Sequence, residues 1–124
     1  MREYSGELAG KSLTLAATFG ASVKIAKSVG DPMMIAREAN VEAYMLDKGL
    51  NYNPRWTFDV ENVPELIHIG LKEAGSSMTL KEVQELVFEV GFAAARDFAL
   101  EYLALIIGPA PEHSGESDGK TEGN

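Results

Sequence analysis

The stretch TLKEVQELVFEVGFAAARDFALEYLALII, residues 79–107, decides which kind of fold this chain can adopt. It opens with Thr79 and Glu82 at the spacing of a capping box, in which each side chain accepts the backbone N–H of the other residue at a helix start. Apolar residues then recur every three or four positions, which is the period of an α-helix. The stretch therefore predicts the longest helix of the chain, opening after Thr79 and reaching Ile107.

This long helix carries two apolar stripes, assigned at about 100° per residue. The first is suited to the domain's own core and comprises Leu80, Val83, Val87, Val90, Ala94, Phe98 and Leu105. The second has the alternating steps of a coiled-coil seam and comprises Phe88, Phe92, Ala95, Ala99, Tyr102 and Ile106. A surface helix needs only one apolar stripe to pack against the core of its own domain. The second is therefore either covered by the rest of the domain or is the candidate surface for another subunit or a client protein.

The N-terminal residues favour a β-hairpin. Within residues 4–17, a short run ends at Leu8, a turn follows at Ala9 and Gly10, and residues 12–15 then alternate between polar and apolar side chains, with Leu13 and Leu15 expected to face inward. Residues 9–12, AGKS, imitate the end of a phosphate-binding loop, but Ser5 stands where that loop requires glycine. A β-turn is the better interpretation of these residues.

Capping residues and glycines place three more helices between the hairpin and residue 79. They are expected to start at Thr18, Asp31 and Asn62, and to end at Gly30, Gly49 and Gly75. The first of them repeats apolar side chains on one face, at Phe19, Val23, Ala26 and Val29.

Residues 50–60 contain turn-forming and aromatic side chains, and we expect them to form an ordered loop. Tyr52 and Trp56 of this loop are a second candidate protein-binding surface. Residues 109–124 are rich in Pro, Gly, Ser and acidic side chains, which predicts a disordered tail. The expected fold is therefore mainly α with a short N-terminal β-hairpin (α+β). It forms a single helical domain over residues 1–108, followed by the acidic tail over residues 109–124.

The amino-acid composition argues against several classes of function for this chain. The 124 residues include no cysteine, so disulfide bonds and thiol chemistry are excluded. The formal net charge of −8 disfavours binding to nucleic acid. No apolar run follows Arg2 and no apolar stretch is long enough to span a bilayer, so we expect a cytoplasmic protein without membrane contact.

No convincing set of catalytic or metal-binding residues is present. Glu65 and His68 have the spacing of a di-iron ligand pair, but such sites need a second pair, and the other histidine, His113, lies in the predicted tail. We therefore expect no enzyme, no cofactor, no catalytic residues and no metal.

The order of the segments is itself informative. The hairpin is followed by TFGA at residues 18–21, VGDP at 29–32, VPELIHIGLKEAG at 63–75 and MTLKEVQELVFEVG at 78–91. Over roughly residues 3–107 this order resembles the tail assembly chaperones of siphophage-like particles, specifically the family found in gene transfer agents and related prophages.

The resemblance implies a non-enzymatic helper of tail assembly in the host bacterial cytoplasm. Such a chaperone coats the aggregation-prone tape measure protein and brings tail tube subunits to it. Self-association into a homo-oligomer is expected as well, because soluble monomers seldom expose a contiguous apolar stripe. Two alternatives stay open: a structural head–tail or tail component of the particle, and an acidic regulatory protein-interaction module.

Overall fold

A computed structural model describes residues 2–108, and the predicted tail over residues 109–124 lies outside them. Strands β1 (Glu3–Leu8) and β2 (Lys11–Ala16) are followed by helices α1 (Phe19–Ser28), α2 (Pro32–Asp47), α3 (Asn62–Glu73), α4 (Leu80–Val90) and α5 (Phe92–Ile107). The prediction of a mainly helical fold with an N-terminal hairpin is confirmed.

The two strands pair antiparallel, with Leu8 opposite Lys11 at the closed end. Ala9 and Gly10 both have positive φ, 52° and 76°, as a tight two-residue hairpin turn requires. Leu13 and Leu15 are buried, as predicted. The AGKS residues are therefore the turn of a hairpin and the first residues of its second strand.

Side-chain caps fix three of the helix starts. Thr18 and Asp31 each accept a backbone N–H from the first turn of α1 and α2. At α4, Thr79 accepts the Glu82 N–H at 3.2 Å, and Glu82 accepts the Thr79 N–H at 2.8 Å. The predicted capping box is confirmed.

The start of α3 differs from the prediction. Asn62 is the first residue of the helix rather than its cap. The free backbone N–H groups of Glu61 and Asn62 are instead bound by the carboxylate of Asp59, at 2.9 and 2.7 Å. Local spacing identified the helix but assigned its cap three residues too late.

The prediction of one helix from residue 80 to 107 is wrong, because the chain breaks at Gly91. That residue has φ 99° and ψ 139°, a conformation that side chains with a Cβ rarely adopt. Its N–H closes α4 by bonding the Val87 carbonyl, and its own carbonyl accepts the Ala95 N–H in the first turn of α5. The stretch therefore forms two helices, α4 and α5.

Helix α3 lies in the middle of the domain, in contact with β2, α1, α4 and α5. Gly70 allows this close packing, because a Cβ there would stand 2.7 Å from the Tyr102 ring and 2.8 Å from Leu15. The hairpin, α3 and α5 consequently share one core.

The apolar face predicted for α1 is not the one that is fully buried. Ala21 and Ile25 are the buried residues of this helix, whereas Phe19 is 85% exposed and Ala26 is exposed. Apolar side chains occur on both sides of α1, so spacing alone could not decide which side α3 would cover.

Candidate protein-binding surface

The second apolar stripe is not one continuous surface. Ala95, Ala99 and Tyr102 are fully buried, and Tyr102 bonds the backbone of Ala16 at the end of the hairpin. The six side chains therefore do not form one exposed surface. The alternative in which the rest of the domain covers the stripe holds for these three residues.

The two ends of the stripe remain accessible. Phe88, in the last turn of α4, is 76% exposed, and Phe92, at the start of α5, is half-buried. Their rings meet edge to face, with centroids 6.3 Å apart. Ile106 is half-buried at the opposite end of α5.

The loop at residues 50–60 is held against α2 by a buried carboxylate. Glu38 is 2% exposed, and no other charged residue among residues 2–108 is buried. Its Oε1 accepts the Arg55 backbone N–H and the Tyr52 hydroxyl, each at 2.8 Å. Trp56 adds a 3.1 Å bond from its indole N–H to the Val29 carbonyl. Tyr52 and Trp56 therefore anchor the loop, and each is only partly exposed.

These contacts shift the acidity of both partners. The Arg55 backbone N–H, and then the Tyr52 hydroxyl, hold the pKa of Glu38 below its ordinary value of 4.5. The same bond to the carboxylate raises the pKa of the Tyr52 hydroxyl above its ordinary value. Glu38 is accordingly ionised at neutral pH and keeps the loop attached.

The far end of the loop is fixed at the base of α3. Asn62 accepts the Asp59 backbone N–H at 2.8 Å and donates to the Thr57 carbonyl at 2.9 Å. The Trp56 and Phe58 rings stack edge to face, with centroids 4.8 Å apart. This network sets the positions of Phe58 and Val60.

The loop and the start of α5 meet around an apolar depression of about 330 Å³. Its lining comes from both elements and from α3: Phe58, Asp59, Val60, Val63, Phe92, Ala93 and Arg96. Val60 is 62% exposed beside it. We call Phe58, Val60, Phe88 and Phe92 the aromatic surface. It brings together one end of the predicted stripe and the predicted loop. No local pattern had indicated that Phe58 and Val60 belong to it.

Charged residues lie near Phe88 and Phe92 in the chain. Glu85 and Glu89 are exposed one turn before and one residue after Phe88 on α4, and neither forms an ion pair within residues 2–108. Arg96 is paired with Asp97 at 3.5 Å. Glu85 and Glu89 line a separate depression on α4, together with Glu82 and Lys11.

Glu65 and His68 border a different depression, together with Lys24, Lys27 and Lys72. Within the described range, no group of three His, Asp or Glu side chains is placed to hold a metal ion. Across the same residues, every helix is too short or too polar to cross a membrane.

Comparison of the chain with known protein families, characterised proteins and solved structures finds no match.

Proposed function

We propose that this protein is a non-enzymatic tail assembly chaperone of a phage or gene transfer agent. It would act in the host bacterial cytoplasm, where it binds the tape measure protein and assists assembly of the tail tube. The proposal joins two supports: the resemblance of residues 3–107 to that family, and the aromatic surface.

The observation that carries the proposal is an apolar depression lined by the exposed Val60 and by Phe92, whose ring contacts the exposed Phe88. Exposed apolar patches of this kind mark protein interaction sites in soluble proteins. An amphipathic helix of a client protein can dock its apolar side chains into such a groove, which shields them from other copies of the client. The formal net charge of −8 favours the solubility of the complex.

Co-expression with the tape measure protein of the same genome tests the proposal. Wild-type protein should increase the recovery of soluble client. Phe88→Glu should abolish that increase, because a carboxylate placed in a dehydrated apolar contact costs several kcal/mol. The isolated variant should keep its circular dichroism and melting temperature, since Phe88 lies outside the core.

Leu46→Glu is the matched control. Leu46 is 69% exposed on α2 and belongs to no part of the aromatic surface, so the variant should protect the client as well as wild type does. Equal protection by Phe88→Glu would refute this surface as the client site. Stoichiometric protein in purified finished particles would instead favour a structural component and contradict a chaperone.

A further inference from the structure

The loop over residues 50–60 reaches the aromatic surface at Phe58. On the α3 side, Asn62 bonds the Thr57 carbonyl and the Asp59 N–H, which are backbone groups on either side of Phe58. These bonds fix the main chain of Phe58, but they do not select the rotamer of its ring. The orientation of the ring therefore depends on what packs against it.

The aromatic ring that packs against Phe58 belongs to Trp56, at an edge-to-face centroid distance of 4.8 Å. Trp56 is itself fixed by the segment between α1 and α2, because its indole N–H donates to the Val29 carbonyl at 3.1 Å. Gly30 makes room for the indole, since a Cβ at that position would lie 3.0 Å from Trp56 Nε1. The contact that orients Phe58 thus depends on residues outside α3.

Glu38 fixes the residue that precedes Trp56. Its Oε1 accepts the Arg55 backbone N–H and the Tyr52 hydroxyl together, and both donors are neutral. Among residues 2–108, no lysine or arginine forms an ion pair with this carboxylate. A buried carboxylate is costly unless it is hydrogen-bonded, so a loop that shifted on α2 would leave the charge without partners. Glu38 therefore holds Arg55 at one position.

We infer that Glu38 is a positioning residue of the aromatic surface, acting on the Phe58 ring through Trp56. Its carboxylate holds Arg55, and the chain continues from there directly into Trp56. The indole in turn orients the Phe58 ring at the edge of the apolar depression. Any effect on the client rests on the proposed function, whereas the orientation of Phe58 does not.

Two variants of the full chain disturb the Phe58 ring by independent routes. Glu38→Ala removes the acceptor on α2, and Gly30→Ala places a methyl group against the Trp56 indole. In both, tryptophan emission should move to longer wavelength, because the indole becomes more exposed to water. The nuclear Overhauser contacts between the Trp56 and Phe58 rings should weaken as well. Glu38→Gln keeps an amide oxygen as acceptor and should retain more of these contacts than Glu38→Ala does.

Hydrogen exchange locates the effect in the loop. The Arg55 amide should exchange about tenfold faster in Glu38→Ala, because it loses a bond to a charged acceptor. The Ile67 amide, in the buried part of α3, should keep its wild-type rate and report that the domain stays folded. Glu42→Ala is the matched control: it removes a glutamate from the same helix, and Glu42 takes no part in these bonds. The Phe58 signals should not change in it.

An unchanged Phe58 ring in Glu38→Ala, with a fast-exchanging Arg55 amide, would overturn the inference, because α3 alone would then place the ring. Tyr52→Phe tests the same link in a milder form, since it removes one donor to Glu38 and keeps the ring. It should move the Phe58 signals less than Glu38→Ala does and in the same direction. If Glu38→Ala fails to fold, unmoved Phe58 signals in Tyr52→Phe and Gly30→Ala would equally overturn the inference.

Client protection separates this inference from the proposed function. Glu38→Ala and Gly30→Ala should both protect the tape measure protein less than wild type does, although neither residue lies in the aromatic surface. A wild type that protects no client would defeat the proposed function alone, because the Phe58 signals require no client. Full protection by both variants, with the Phe58 ring displaced, would overturn the part of the inference that concerns the client.

Discussion

The hydroxyl of Tyr102 donates a 2.6 Å hydrogen bond to the backbone carbonyl of Ala16, which joins α5 to the end of β2. Both residues are fully buried. Burial also raises the pKa of the Tyr102 hydroxyl, so it remains protonated and keeps donating this bond throughout the ordinary pH range. Tyr102, a candidate partner-binding residue in the sequence, instead links the hairpin to the helices through this buried hydrogen bond.

Tyr102→Phe should lower the free energy of unfolding by about 1–3 kcal/mol, because the ring stays packed while the buried Ala16 carbonyl loses its donor. Urea denaturation measures the change. Tyr44→Phe is the control: Tyr44 is 59% exposed on α2 and should change stability by less than about 0.5 kcal/mol. Equal losses in the two variants would show that the Tyr102 bond contributes nothing specific.

Gly91→Ala should destabilise the domain by about 1–3 kcal/mol, because alanine is strained at φ 99°. A Cβ at this position would meet no atom within 4 Å, so the cost comes from backbone conformation rather than from a clash. Gly20→Ala in the first turn of α1 is the matched control, since its new Cβ finds ordinary contacts beginning at 3.6 Å. It should leave stability unchanged or slightly higher.

Glu38→Gln should remove part of the acid sensitivity of the protein. Because the pKa of Glu38 is lowered on folding from 4.5, the unfolded chain takes up its proton first. The stabilisation from this group is present above about pH 4.5 and is lost as pH falls through the lowered pKa. The variant should therefore be less stable than wild type at pH 7, and the difference should shrink towards pH 3.

Fluorescence of Trp56, the single tryptophan, reports whether the loop is attached, and thermal unfolding at each pH reports stability. Glu42→Gln on the same helix is the control for the loss of a glutamate charge from α2. A Glu38→Gln difference that stays constant between pH 7 and pH 3 would contradict a role for the Glu38 charge.

Features set by neighbouring residues could be predicted from the sequence. The Thr79–Glu82 capping box, the Asp31 cap and the positive-φ turn at Ala9 and Gly10 each depend on backbone groups within a few positions. The positions of the helices and of the hairpin followed from these signals and from apolar spacing. The assignment of Phe88 and Trp56 to exposed or loop positions also came from local patterns.

Tertiary structure alone decided which apolar side chains are buried and where the aromatic surface forms. A glycine inside a helical pattern costs only about 1 kcal/mol, so spacing could not show that the helix would break at Gly91. Nor could it show that Ala95 and Tyr102 would lie in the core. Glu38 gave no local signal either, because its partners Tyr52 and Arg55 are 14 and 17 residues away. Burial and long-range hydrogen bonds depend on how elements pack against one another, and that packing brings Phe58 to Phe92.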